Sequence, residues 1–211
     1  MKKILILFLT ILVAAPFNQL AAQSATDLLN KTAKKLSTCG GIDASFEATT
    51  YKGSSVAGTS KGRINIKGNK FKIIAPEMTV WFDGANQWAM FTGANEVNWT
   101  EPTNEELQSI NPYTFVNLYK NGYNNRLSSV NYNGKKCHEV QLKAQSKNKD
   151  IQEMRIVIDP ANLLPYSIRV KQGGNWTRIR VSQIKIGQKY TDQHFRFDSS
   201  KNPNIEVIDL R

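Results

Sequence analysis

The sequence predicts a mainly β protein in which an antiparallel meander of about eleven strands curls on itself, with one N-terminal helix and a short helical lid against its apolar concave face. Three observations carry this prediction. From Ala44 onward, one segment after another alternates large apolar and polar residues with period two. Tight-turn pairs such as Asp83-Gly84, Asn133-Gly134 and Gly173-Gly174 separate those segments. Only two stretches, Ser24 to Leu36 and Thr103 to Tyr119, space their apolar residues as helices do. A sheet of this size presents more apolar face than two short helices can cover, and a leftover concavity suits a greasy ligand better than it suits a reaction.

The first 22 residues read as a cleaved secretion signal. Lys2 and Lys3 precede an apolar run from Ile4 to Ala15, then come Pro16 and small residues ending Leu20-Ala21-Ala22, with the cut expected after Ala22. The run is short for a bilayer span, no later segment is apolar enough for one, and no cysteine follows the cut to carry a lipid anchor. Residues 23–211 are therefore expected to form a single soluble domain in the periplasm. Losing Lys2 and Lys3 lowers the formal charge from +11 to +9. Such a basic surface attracts phospholipid head groups, lipopolysaccharide or acidic chains, and the compartment argues against nucleic acid.

Taken in order, Ser24 is the expected N-cap, with Asp27 three residues on, Leu28, Leu29, Thr32 and Leu36 on one stripe, and Gly40-Gly41 as the stop. Strands follow around Ala44, Phe46 and Ala48, around Ile64 and Ile66, and around Phe71 and Ile73. Asp83-Gly84 then joins Val80–Phe82 to Gln87–Thr92, and a short strand lies near Val97 and Trp99. Thr103 and Glu106 make a capping box, Leu107 and Ile110 follow at helical spacing, and Pro112 opens a turn carrying Phe115 and Leu118. Strands resume from Arg126, through Val140 and Leu142, Met154 to Ile158, Leu164 to Val170 and Ile179 to Val181. A last strand is expected near Ile205 to Leu210, after Phe195 and Phe197.

Strand parity selects the candidate cavity wall: Phe46, Ile64, Ile66, Phe71, Ile73, Trp88, Met90, Met154, Ile156, Tyr166 and Ile168, faced by Leu107, Ile110, Phe115 and Leu118 from the lid. Met90 and Met154 suit a wall that must adapt to variable chains. Cys39 and Cys137 lie in a compartment that permits disulfides, and a bridge would close a long loop worth roughly 4 to 5 kcal/mol. Cys137 shares parity with Glu139 and Gln141, so a bridge would have to form at the outer face or a strand end. No catalytic constellation is evident. His138 and His194 are not metal-spaced, no phosphate loop or Gly-x-Ser-x-Gly occurs, and Asp83, Asp159 and Asp192 sit at turns.

The order of Gly62, Ile64, Ile66 and Phe71, then Asp83-Gly84 with Trp88, Asn111-Pro112-Tyr113 before Phe115, Asp159 with Leu164-Pro165, and last Phe195 and Phe197 resembles outer-membrane lipoprotein carrier proteins of the LolA type. The resemblance runs from about Ser24 to Ile208. It implies an unclosed antiparallel barrel with a helical lid, whose cavity carries lipoprotein acyl chains across the periplasm. It also implies an inner-membrane donor complex, an outer-membrane acceptor, a monomer and no cofactor. Family members commonly place Arg-Pro after the second strand, the arginine latching the lid. Here Lys67 is followed by Gly68-Asn69, which leaves Arg63 or Lys67 as the substitute latch. Carriage of another lipid or glycolipid uses the same cavity chemistry, and a lipid-sensing adaptor the same fold with a further partner domain.

Overall fold

The computed structural model describes residues 17–103, 106–107 and 118–211. The expected lid residues Ile110 and Phe115, and the signal run through Ala15, lie outside the described residues. Helix α1 (Phe17–Thr38) leads into β1 (Gly41–Lys52), β2 (Ser55–Lys67), β3 (Lys70–Ile74), β4 (Met78–Phe82), β5 (Gln87–Phe91) and β6 (Glu96–Thr100). A second meander holds β7 (Tyr123–Tyr132), β8 (Lys135–Ala144), β9 (Ile151–Ile158), β10 (Pro165–Gln172) and β11 (Asn175–Gln188), and β12 (Glu206–Asp209) follows. The helix starts upstream of Ser24, which is therefore internal rather than an N-cap, and the expected cut after Ala22 falls within it.

The twelve strands among the described residues form one sheet in the order β12-β6-β5-β4-β3-β2-β1-β11-β10-β9-β8-β7. The first and last strands of that order do not meet, so the barrel is open. Pairing is antiparallel throughout except at β12, which lies parallel to β6 and departs from the expected meander. That arrangement follows from connectivity: the chain leaves β11, crosses the sheet through the 3-10 turns Asp192–Phe195 and Ser199–Lys201, and reaches the far edge already pointing with β6. The Asn133-Gly134 turn takes φ of 51° and 80°, the left-handed pair a two-residue hairpin requires.

Two apolar clusters stabilise the sheet, one on each face. On the inner face Leu28, Leu29 and Leu36 of α1 pack on Ile42, Phe71, Phe82, Val140, Leu142, Ile156 and their neighbours. On the outer face Trp81, Trp88 and Val97 pack with Phe197 from the C-terminal segment, and Met90, Trp99 and Ile205 lie against them. Trp81 meets Phe197 edge-on at 5.6 Å between centroids, and Trp88 stacks on Trp99 at 5.7 Å.

Candidate functional site

The inner face is the candidate site, and strand pairing shows how it is assembled. Val140 lies opposite Ile156, Ile156 opposite Ile168, and Ile168 opposite Ile179, a continuous apolar row across four strands. Ile64 and Ile66 lie opposite Ile73 and Phe71 on the other side of β1. Helix α1 covers this face because its stripe of Ala25, Leu28, Leu29, Thr32 and Leu36 is buried while Asp27, Lys31 and Lys34 are exposed.

A void of about 60 Å³ remains beneath the last turn of α1. Its wall is entirely apolar: Leu36 from the helix, Ile42 and Ala44 from β1, Ile64 and Ile66 from β2, and Leu164, Pro165, Ile168, Val181 and Ile184 from the second meander. Toward the far ends of β1, β10 and β11 a wider cavity of about 370 Å³ is lined by Ile151, Val170 and Ile179 with Thr50 and Thr177 at its rim. Among the described side chains of α1, Thr32 is polar and fully buried, and its hydroxyl oxygen has no hydrogen-bond partner. Leaving such a group unpaired costs about 1 to 3 kcal/mol, so the seat of α1 on the sheet is not the tightest this sequence could make.

Eight of the eleven expected wall residues lie on this face by register: Phe46, Ile64, Ile66, Phe71, Ile73, Met154, Ile156 and Ile168. Phe46 sits farther along β1, opposite Gly62 and Val181, and is only half-buried. Three fall elsewhere. Trp88 and Met90 belong to the outer cluster, because on β5 it is Ala89, paired with Val80, that faces inward. Tyr166 is displaced by a register shift between Pro165 and Ser167, which puts it out of step with Ile168. Its hydroxyl donates to Asp159 Oδ2 at 2.7 Å and its ring lies 6.3 Å from Tyr132.

The expected capping box is present: Thr103 N and Oγ1 donate to Glu106 Oε2 at 2.8 and 2.9 Å, and Glu106 N donates to Thr103 Oγ1 at 3.3 Å. Leu107 and Leu118, the described lid residues, pack on the inner cluster. Tyr119 donates from its hydroxyl to Asn30 Oδ1, and Asn125 Nδ2 to Thr26 Oγ1 at 3.0 Å, so the segment after the lid is tied to α1.

The two residues expected as a substitute latch make contacts on the other side of the sheet. Arg63 pairs with Asp43 at 2.5 Å, and Lys67 donates to the Tyr190 carbonyl at 2.7 Å and lies 3.6 Å from Asp192. Both alternate with inward Ile64 and Ile66, so they face outward, and Lys67 secures the C-terminal segment. The disulfide is corrected. Cys39 and Cys137 are free thiols, Cys39 donating to the Leu36 carbonyl at the end of α1 while Cys137 is buried on the outer face of β8. Burial raises both thiols above their ordinary range and so disfavours the reactive thiolate.

Sequence reasoning missed Leu36, Ile42, Ala44, Leu164, Pro165, Val181 and Ile184 as lining residues. Leu36, Ala44, Leu164 and Val181 carry the right parity or stripe, but they read as ordinary framework residues because β1 and β11 had not been brought side by side.

An open antiparallel half-barrel with helix α1 across an apolar hollow is the architecture of a protein organised around a hydrophobic concavity. The chain belongs to the outer membrane lipoprotein carrier protein LolA family, whose model matches residues 15–174. A search of curated proteins returned no match. Among solved structures, an uncharacterized conserved protein from Thermus thermophilus superposes with a TM-score of 0.60 at 13% identity, covering 89% of this chain and 99% of that one. A putative outer membrane lipoprotein-sorting protein domain from Vibrio parahaemolyticus gives 0.50 at 11% identity, covering 88% and 100%. At these identities the likeness is one of fold. No helix among the described residues is long and apolar enough to cross a membrane, and no His, Cys, Asp and Glu cluster among them could hold a metal.

Proposed function

We propose that this protein is a periplasmic carrier that takes lipoprotein acyl chains into the hollow between α1 and the inner face of the sheet and delivers them toward the outer membrane. The observation that supports this reading best is the void beneath α1, whose ten lining residues include no polar side chain. Each buried methylene is worth about 0.8 kcal/mol, so a long acyl chain costs on the order of 10 kcal/mol to expose and needs a dry container to cross water.

The void of about 60 Å³ is well below the roughly 300 to 1,000 Å³ of ordinary ligand pockets. Loading must therefore widen it, and α1 is the element that gives way. It is laid across a broad sheet, with an unpaired Thr32 hydroxyl beneath it and Gly40 at φ 78° as its hinge to β1. Because bilayer and hollow are similarly apolar, transfer is near balance, and small differences in how α1 and Leu118 repack set the direction of release.

Native mass spectrometry with lipid extraction on protein purified gently from its own periplasm tests this directly. Co-purifying acylated peptides or lipoproteins are the expected result. Phospholipid or glycolipid instead would make the protein a general lipid carrier, and an empty protein that also fails to bind a fluorescent acyl probe would end the carrier reading. Ala44→Ile, which projects into the void, should weaken acyl-probe binding by on the order of 10-fold with a stability change of no more than about 3 kcal/mol.

A further inference from the structure

The outer face of the second meander carries a feature that the carrier hollow does not use. Strand register places Arg126 opposite Gln141, Gln141 opposite Arg155, Arg155 opposite Arg169, and Arg169 opposite Arg178. Four arginines thus fall in one row across β7 to β11, three of them on consecutive strands about 4.8 Å apart. Their neighbours Leu127, Val140, Ile156, Ile168 and Ile179 belong to the inner cluster, so alternation turns every arginine in the row outward. The flanking rows add Lys143 and Lys171 on one side and Arg180 and Lys61 on the other. Against these eight cations stand only Glu47, Glu139 and Glu153.

Like charges directly opposite one another on neighbouring strands destabilise a sheet. Glu153 bonds Arg155 at 2.8 Å, and Glu47 engages Lys61 and Arg180 at 3.2 and 3.3 Å. Among the described residues no carboxylate forms a salt bridge with Arg169 or Arg178, and the buried Nε of Arg178 has no hydrogen-bond partner. The guanidinium groups are instead held against aromatic rings. Trp176 has Arg169 at 5.1 Å and Arg155 at 5.9 Å from its ring centroid, and Tyr51 has Arg178 at 5.5 Å. Such contacts fix the guanidinium planes and leave N–H donors available to an external anion.

We propose that this row is a docking surface for the anionic phospholipid head groups of a bilayer. Charge complementarity requires an extended anionic partner, since the arginine row alone spans the five strands β7 to β11 rather than converging on one pocket. The half-buried Trp176 and Tyr51 among them favour a membrane interface, where a ring with one apolar and one polar edge is most stable. The inference deepens the carrier reading and rests on it, because a carrier of acyl chains must meet a bilayer surface to load or unload.

Flotation of the mature protein with vesicles of phosphatidylcholine containing about one-third phosphatidylglycerol tests the surface at roughly 0.1 M salt, where the Debye length is about 10 Å. Binding should vanish in pure phosphatidylcholine. The triple variant R155Q/R169Q/R178Q should partition on the order of 100-fold more weakly. A control that removes the same charge elsewhere, K34Q/K185Q/K189Q, should lose only a few-fold, because exposed charges beyond a Debye length are screened. R155K/R169K/R178K, which keeps the charge, should bind within a few-fold of the unmodified protein and guards against a folding defect. Equal losses in the glutamine triple and the control would reduce the effect to net charge and overturn the proposal. So would failure of the unmodified protein to bind the anionic vesicles, or row-dependent binding to polyglutamate in its place, which would make the partner an acidic protein. Acyl-probe binding without vesicles should be unchanged in the glutamine triple, so a failed carrier and a failed docking surface give different results.

Discussion

On β4, β5 and β6 the residues facing away from α1 are Trp81, Trp88, Val97 and Trp99, and Phe197 and Ile205 from the C-terminal segment close over them. On β8 to β11 the residues facing the same way include Gln141, Arg155, Arg169 and Arg178, and no helix or strand among the described residues closes over them. One sheet therefore has a wing buried on both faces and a wing buried on one. Where the outer residues are apolar, the chain supplies its own cover. Where they are cationic, the cover, if any, comes from outside.

The largest expected effect lies in the covered wing. Phe197→Ala should lower stability by about 3 to 5 kcal/mol, read as a fall in the urea midpoint, while Arg169→Gln in the bare wing should stay within about 0.5 kcal/mol. Similar losses at both positions would break the comparison. Next comes the tie between sheet and cover. Arg196 Nε lies 2.8 Å from Asp83 Oδ2, and Asp83 accepts from Ala85 N and Asn86 N at 3.1 and 2.9 Å. Burial opposes the charge on Asp83, but these bonds outweigh it and hold the carboxyl below its ordinary range. Asp83→Asn should cost about 2 kcal/mol in a chemical melt.

Acid should loosen the C-terminal cover before the rest. Asp198 is held at about 2 by hydrogen bonds from Ser200 and Lys201, and Asp209 at about 2 by Arg211. A depressed carboxyl contributes stability above its unfolded value of about 3.9 and loses it as pH falls through that value toward 2. Tryptophan fluorescence, dominated on this wing by Trp81, Trp88 and Trp99, should therefore change between about pH 4 and 2, ahead of far-UV circular dichroism. The smallest effect is none: a reductant should leave the melting temperature unchanged, since Cys39 and Cys137 are free thiols.

Much of the site was legible because alternation and turns are local. Ile64 and Ile66, Phe71 and Ile73, and Met154 and Ile156 reveal an inward face from spacing alone, and the Thr103–Glu106 box and the Asn133-Gly134 turn are set by side chains a few residues apart. Trp88 and Met90 were not legible. The alternation of β5 says that Trp88 and Met90 share one face and Ala89 takes the other, but not which face the helix covers. Tyr166 escaped for another reason: an extra residue beside Pro165 reverses the parity, and a bulge is visible only when the partner strand β9 is in place.

By itself the sequence determined the strand segments, the tight turns, the stripe of α1 and an excess of apolar sheet face, because each rests on spacing within one element. The tertiary structure alone decided that β1 pairs with β11, that the C-terminal segment covers the tryptophans rather than extending the hollow, and that Arg155, Arg169 and Arg178 line up across three strands. Those are relations between residues far apart in the chain, and register fixes them only once the long-range pairings form.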